Sequence, residues 1–210
     1  MIAIIDYNAG NITSVARALQ NIGQDFVITD DTKKLDAASR VIFPGVGAAG
    51  EAMAYLREKK LDSWLKNYMK TGKPLLGICL GTQIILDYSE ENDTACIGLV
   101  SGSTKRFPEK LTEEGSLLKI PQMGWNSVKL HRSHPIFENV SPEAEFYFVH
   151  SYYPAPSDET AVLGTTDYGM TFCSVLAKGN LVAMQFHPEK SGRPGLQVLQ
   201  NFCAWSGNVK

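Results

Sequence analysis

A chain of 210 residues with 44% hydrophobic and 20% charged residues and a formal net charge of -2 reads as a folded soluble protein, too apolar to stay disordered and too balanced in charge to coat a polyanion. No apolar run approaches the ~20 residues of a spanning helix, and the first six residues lack the basic leader and cleavage site of a secretory signal, so a cytosolic chain without membrane or nucleic-acid partners is expected. Cys79, Cys96, Cys173 and Cys203 show no CxxC spacing, which argues against a zinc site or a disulfide framework, and no metal or cofactor is implied.

Residues 2–6 form a short apolar strand. After the Asn8-Ala9-Gly10-Asn11 turn, Val15, Leu19 and Ile22 recur at helical spacing and Gly23 supplies a stop, which predicts a helix over 12–22. Strands return over 26–29 and 40–43, the latter running into the glycine-rich loop Pro44-Gly45-Val46-Gly47-Ala48-Ala49-Gly50. Helical segments over 51–71 end at Gly72-Lys73; a fourth strand over 74–79 and a helix over 80–88 follow. From about Gly98 the strands shorten, to 146–151, 161–165, 172–177 and 181–186, the last two joined by a hairpin turn at Lys178-Gly179-Asn180. A final helix over 195–205 places Leu196, Leu199, Phe202 and Cys203 on one face. The pattern predicts one α/β domain over 1–210: an open, mostly parallel or mixed sheet flanked by helices, with an added antiparallel strand region in the C-terminal half. Sites in such sheets lie at the carboxyl ends of the strands, where both glycine-bearing turns fall.

Gly77-Ile78-Cys79-Leu80-Gly81 is a G-x-C-x-G segment at a strand-to-helix junction, the pattern of a nucleophile elbow with cysteine in place of serine. So tight a turn strains the nucleophile's backbone and brings residues two positions either side into collision, which glycine avoids. The following helix presents its positive end to the sulfur, and the Leu80 N–H is placed to meet a developing oxyanion. The competing reading is a buried structural cysteine.

A cysteine nucleophile needs a base with an orienting group behind it. His131 and His134 stand in a polar stretch before Pro135 and read as a solvated loop. His187 closes an apolar strand, Pro188 holds the exit rigid, and Glu189 is positioned to accept from the other ring nitrogen. A strand-end histidine beside a surface carboxylate is the alternative. His150, in the aromatic run Tyr147-Phe148-Val149-His150-Ser151-Tyr152, is the competing base, or a residue of the substrate wall or core.

Together, Pro44-Gly45-Val46-Gly47, the elbow extended through Thr82-Gln83, and Phe186-His187-Pro188-Glu189 resemble the triad-bearing (class I) glutamine amidotransferases in order and spacing, over essentially the whole chain. The resemblance implies hydrolysis of glutamine through a γ-glutamyl thioester. It assigns Cys79, His187 and Glu189 to the triad, Gly47 and Leu80 to the oxyanion hole, and Gln83 with His150, Ser151 and Tyr152 to the glutamine. On the residues alone, Gly45 and Gly47 let backbone approach a substrate, and Gln83, one helical turn after Cys79, either reaches the substrate's polar end or faces solvent.

Three further segments are similar to a group within that family: Ile5-Asp6-Tyr7-Asn8-Ala9-Gly10-Asn11, Ile120-Pro121-Gln122-Met123-Gly124-Trp125-Asn126 and Phe186-His187-Pro188-Glu189-Lys190-Ser191. These are glutaminase subunits that pass ammonia to a separate (β/α)8-barrel cyclase in a heterodimer. The chain departs from them at Asn8, where glycine is more frequent, and at Thr82, where methionine is common. The resemblance implies a docking surface of Asn8, Asn11, Met123, Trp125, Asn126 and Lys190, all assigned to turns; tryptophan is enriched in interface hot spots, and a core position is the alternative for Trp125. Other readings of the same elbow are a stand-alone γ-glutamyl hydrolase or cysteine peptidase, a glutaminase subunit of another amidotransferase, and a catalytically silent binding subunit.

Overall fold

Apolar quartets alternate with amphipathic helices through the first third of the protein, whose structure is a computed structural model describing residues 1–7 and 10–208. The elements run β1 (Ile2–Ile5), α1 (Ile12–Asn21), β2 (Phe26–Thr29), α2 (Thr32–Ala37), β3 (Arg40–Phe43), α3 (Ala49–Glu58), α4 (Leu61–Met69), β4 (Leu75–Ile78) and α5 (Leu80–Gln83). Strands β5 (Tyr88–Ser89), β6 (Thr94–Ala95) and β7 (Gly102–Arg106), the hairpin β8 (Thr112–Glu113) and β9 (Ser116–Leu117), then β10 (Gln122–Ser127) and β11 (Lys129–Leu130) follow. The chain closes with β12 (Glu145–His150), β13 (Tyr152–Pro156), β14 (Val162–Asp167), β15 (Thr171–Lys178), β16 (Leu181–Met184) and α6 (Gly192–Ala204).

One eight-stranded sheet, in the order β11-β14-β15-β16-β4-β3-β1-β2, organises the molecule. From β16 to β2 its neighbours are parallel, and from β16 back to β11 they are antiparallel, which is the mixed sheet expected. Successive residues of the central strands feed opposite faces. Ile4, Ile42, Leu76 and Val182 join Val15 and Leu19 of α1 and Val198, Leu199 and Phe202 of α6 in one apolar cluster. Ala3, Ile5, Val41, Phe43 and Leu75 join Met53, Leu56, Leu61 and Leu65 of α3 and α4 in the other. Burial on both faces explains why these strands read as continuous apolar runs. Arg40 ties the layers together: its guanidinium donates to the carbonyls of Phe202, Cys203 and Trp205 at the end of α6, where helix carbonyls run short of backbone partners.

Several boundaries differ from the sequence expectation for identifiable reasons. The helix after the elbow stops at Gln83, not at 88. Ile84, Ile85 and Leu86 are all buried, leaving no solvent face for a helix, and their carbonyls accept from Ile97, Leu99, Val100 and Gly98 instead. Helix α2, unforeseen, is one and a half turns capped by the Asp31 carboxylate on the Lys33 N–H at 2.9 Å. Met123, Trp125 and Asn126 lie on strand β10 and not on a turn, pairing with Val149, Tyr147 and Phe146 of β12. The small sheet β13-β7-β5-β6 was also unforeseen. His134 is not a solvated loop residue but a buried one, its Nδ1 accepting from the Ile136 N–H.

Candidate active site

Cys79 sits between β4 and α5 with φ 52° and ψ -108°, a left-handed conformation costing a non-glycine residue on the order of 1–2 kcal/mol. Its N–H donates to the Met184 carbonyl of β16 at 2.9 Å, which fixes the elbow on the sheet. Both flanking glycines are sterically required, though chiefly against neighbouring strands and not against each other. A Cβ on Gly77 would lie 2.8 Å from the Ala183 Cβ, and one on Gly81 would lie 2.0 Å from the Phe43 carbonyl oxygen. Gly77 and Gly81 themselves would approach only to 3.4 Å. Because α5 is a single turn, its dipole adds little at the sulfur.

The Leu80 N–H, assigned to an oxyanion, is taken: it donates to the Gly45 carbonyl at 3.2 Å. Gly45 is packed against Tyr7, whose hydroxyl would lie 1.7 Å from any Cβ added there. That hydroxyl is buried and has no hydrogen-bond partner among the described residues. Gly47, the other assigned donor, has φ 111° and is exposed at the mouth of the site.

His187 is fully buried just past the end of β16, its N–H donating to the Tyr147 carbonyl at 2.9 Å. Its Nδ1 meets Glu189 Oε1 at 2.6 Å, so the carboxylate fixes the tautomer with hydrogen on Nδ1 and leaves Nε2 for proton exchange. Among the described residues Nε2 has no regular hydrogen bond. Burial, the largest single effect, pushes the ring toward neutrality. The charge and proximity of Cys79 and the bond and charge of Glu189 together outweigh it and hold the pKa up at about 10. Asn11 donates to the same Glu189 oxygen at 2.5 Å. Asn11 starts α1 at φ 76° without capping it; its amide serves the carboxylate instead.

Val46, Gly47, Cys79, Leu80 and Gln83 line one cavity of 270 Å³ with Pro121, Val149, His150, Ser151 and Tyr152, and Glu91 at its edge. The structure thus brings the four residues assigned to glutamine and both assigned oxyanion residues onto Cys79, with His187 and Glu189 behind. Larger cavities of 340 and 380 Å³ are lined by no cysteine or histidine. His150 is engaged at both ring nitrogens, 2.8 Å from the Tyr152 carbonyl and 2.9 Å from the Gln122 amide. Burial pulls its pKa down to about 4, the Tyr152 bond opposing and His187 adding to the fall, which suits a neutral wall residue better than a base. Gln185, which the sequence reading passed over, donates to Cys79 Sγ at 3.7 Å; an amide two residues before His187 in an otherwise apolar strand was the available signal.

Of the residues assigned to docking, Met123 and Trp125 are 65% and 52% exposed and Lys190 is exposed. Asn126 bonds the Asp167 carbonyl at 2.8 Å, Asn11 faces Glu189, and Asn8 lies outside the described residues.

A cysteine at a strained strand-end elbow, a buried histidine–carboxylate pair and a glycine loop over one cavity on an α/β sheet are the parts that thiol-based hydrolysis calls for. The chain belongs to the class-I glutamine amidotransferase family, which it matches over residues 3–205. Relatives called imidazole glycerol phosphate synthase subunit HisH are similar over its full length. That of Nitratidesulfovibrio vulgaris strain Miyazaki F is 54% identical over 206 residues, 98% of this chain and 97% of the relative. That of Maridesulfovibrio salexigens is 52% identical over 210 residues, 100% and 99% of the two chains. Pseudomonas syringae pv. syringae has one 47% identical over 208 residues, 98% of each. The fold is shared with PurLQS from Thermotoga maritima, at TM-score 0.73 and 19% identity over 97% of both chains. A glutamine amidotransferase from the same organism matches at TM-score 0.65 and 19% identity over 97% of this chain and 82% of that one.

Proposed function

We propose that the chain is the glutaminase subunit of an imidazole glycerol phosphate synthase. In this reading it hydrolyses glutamine at Cys79 and delivers the ammonia to a (β/α)8-barrel cyclase partner, which makes imidazole glycerol phosphate and aminoimidazole carboxamide ribotide in histidine biosynthesis. Identity of about half to subunits of that name, end to end, supports the partner. The observation that carries the chemistry is the convergence of Cys79, the glycine loop and the 150–152 segment on one cavity backed by the His187–Glu189 pair.

The glutamine amide carbonyl sits between the N–H groups of Gly47 and Leu80. The Cys79 thiolate attacks its carbon, the carbonyl electrons move to oxygen, and the His187 imidazolium gives its Nε2 proton to the departing nitrogen, releasing ammonia. Water then gives a proton to His187 and attacks the γ-glutamyl thioester; the C–S bond breaks and glutamate leaves. A raised His187 pKa supports the charged ring needed at the first step.

In the described conformation the Leu80 N–H is spent on Gly45, so the hole has to open by rotation of the peptide after Gly45. Losing one oxyanion donor costs about 3 kcal/mol of barrier. Glutaminase activity is therefore expected to be low alone and to rise when the cyclase docks on the Met123–Trp125 face. Glutamate release is measured with and without cyclase and its nucleotide ligand. Rapid release indifferent to any partner favours a stand-alone γ-glutamyl hydrolase, and full turnover in Cys79→Ala overturns the assignment.

A further inference from the structure

We propose that Gln185 is a further catalytic residue: its side-chain amide donates to the Cys79 sulfur, holding the thiolate for attack and receiving it again when the thioester breaks. The inference rests on the reading of Cys79 as nucleophile.

An amide's oxygen and nitrogen are alike in size, so its orientation has to follow from its partners. Here the partners leave one solution. The Tyr152 carbonyl only accepts, and it takes hydrogens from His150 Nδ1 at 2.8 Å and Gln83 Nε2 at 2.9 Å. The Gln83 amide is thereby turned nitrogen inward, and its second hydrogen goes to Gln185 Oε1 at 3.1 Å. With its oxygen engaged, Gln185 presents Nε2 to Cys79 Sγ, 3.7 Å away. Gln185 has no exposed surface and Gln83 is 5% exposed, so bulk water does not compete for these groups. The backbone is equally fixed, the Gln185 N–H donating to Ser174 of β15 at 2.8 Å. Packing alone does not explain an amide here, since an apolar side chain of the same length fills the space without the cost of burying a polar group.

An N–H donor binds a charged acceptor more strongly than a neutral one, so this contact favours thiolate over thiol and over thioester. It acts twice in each turnover. When the C–S bond forms the sulfur gives up its charge, and when water breaks that bond the electron pair returns to sulfur, where the amide meets it. No reactant beyond glutamine and water is required. Gln185 does not line the cavity itself, so its direct effect falls on turnover, and it reaches glutamine binding only through the Gln83 amide that its oxygen holds.

Gln185→Met keeps side-chain length and removes both polar ends; Gln185→Glu keeps the acceptor for Gln83 and turns a carboxylate toward the sulfur. In the full-length protein, the rate at which iodoacetamide labels Cys79 is followed by mass spectrometry of its peptide between about pH 5 and 9. Glutamate release by the complex with cyclase is measured alongside. Labelling at neutral pH is expected to slow about tenfold in Gln185→Met, with the midpoint of the profile moved to higher pH. Gln185→Glu slows further; kcat falls in both variants, and KM stays within about twofold in Gln185→Glu, which still accepts from Gln83. A Gln185→Met profile and kcat equal to wild type overturn the proposal; if that variant does not fold, the same result in Gln185→Glu does so. Wild-type complex releasing no Cys79-dependent glutamate overturns the reading of the nucleophile instead, while labelling still reads the amide contact on its own.

Discussion

The elbow end of the sheet and the β10–β12 ribbon treat their side chains in opposite ways. Around Cys79, Gln83, Gln185 and His187 are buried and locked to named partners, and two glycines are forced by backbone atoms or methyls within 3 Å. Along β10, Met123 and Trp125 hold large apolar surfaces in solvent, and Trp125 stands edge-to-face with Tyr147 at 6.1 Å between ring centres. Their junction is the Gln122–His150 pair, directly opposed across the two strands. The contrast teaches that the buried end fixes its polar groups on one another, the Leu80 N–H on the Gly45 carbonyl included, while the exposed ribbon costs solubility and gains only if something covers it.

Removing the sulfur separates the two regions most sharply. Cys79→Ala is expected to lower glutamate release by at least a thousandfold and to leave cyclase affinity unchanged, as measured by titration calorimetry. Cys79→Gly is equally inactive, yet relief of the φ 52° strain is expected to make it about 1 kcal/mol more stable than Cys79→Ala in urea unfolding. Equal stability of the two would remove strain from the account of the elbow.

The junction is probed by acid. Burial holds the His150 pKa at about 4 against an ordinary 6.5, so between those values the unfolded chain binds the extra proton and the folded one does not. Stability therefore falls as pH drops from 6.5 toward 4, by up to about 3 kcal/mol for this residue. His134, lowered to about 4 by burial and then by Arg132, gives an independent term of the same sign. Urea unfolding across that range is expected to show His150→Gln with about half the wild-type slope. An unchanged slope would mean that His150 is charged in the folded protein.

How far the sequence reached differs between the two regions for a physical reason. Strands at 26–29 and 40–43 were legible to the residue, because each is a short, mostly apolar and β-branched run bounded by polar residues, buried in the second and at the sheet edge in the first. The elbow at Cys79 and the contact between His187 and Glu189 were legible because a tight glycine-flanked turn and a proline-stiffened strand exit leave local marks. The early end of α5 was not, because it depends on the carbonyls of Ile84, Ile85 and Leu86 finding partners at 97–100. The turn assignment of Met123 and Trp125 failed likewise: β10 exists because β12, more than twenty residues later, pairs with it. Asn11 read as a surface turn residue, and nothing local revealed that its amide crosses to Glu189, 178 residues away.

Trp125→Ala tests the exposed side alone. Loss of a central aromatic anchor is expected to weaken cyclase binding by about 2 kcal/mol, roughly thirtyfold. A side chain 52% exposed and outside both apolar clusters contributes little to the isolated chain, whose stability should stay within about 0.5 kcal/mol of wild type. A large loss of stability with unchanged affinity would assign Trp125 to its own fold.

The smallest effect belongs to a polar atom at the elbow end that breaks its rule. The Tyr7 hydroxyl is buried against Gly45 without a partner among the described residues, and burial, with the Cys79 charge behind it, holds it well above the ordinary phenol range. Phenylalanine fills the same space without stranding a donor, so Tyr7→Phe is expected to raise the unfolding free energy of the isolated chain by about 1 kcal/mol. The ring contact with Phe43 at 5.1 Å survives the change, which confines any difference to the hydroxyl. Urea unfolding at neutral pH reads it directly. A stabilisation makes the buried end of the sheet a site where a polar group is kept at a cost, whereas a destabilisation means that the hydroxyl does find an acceptor.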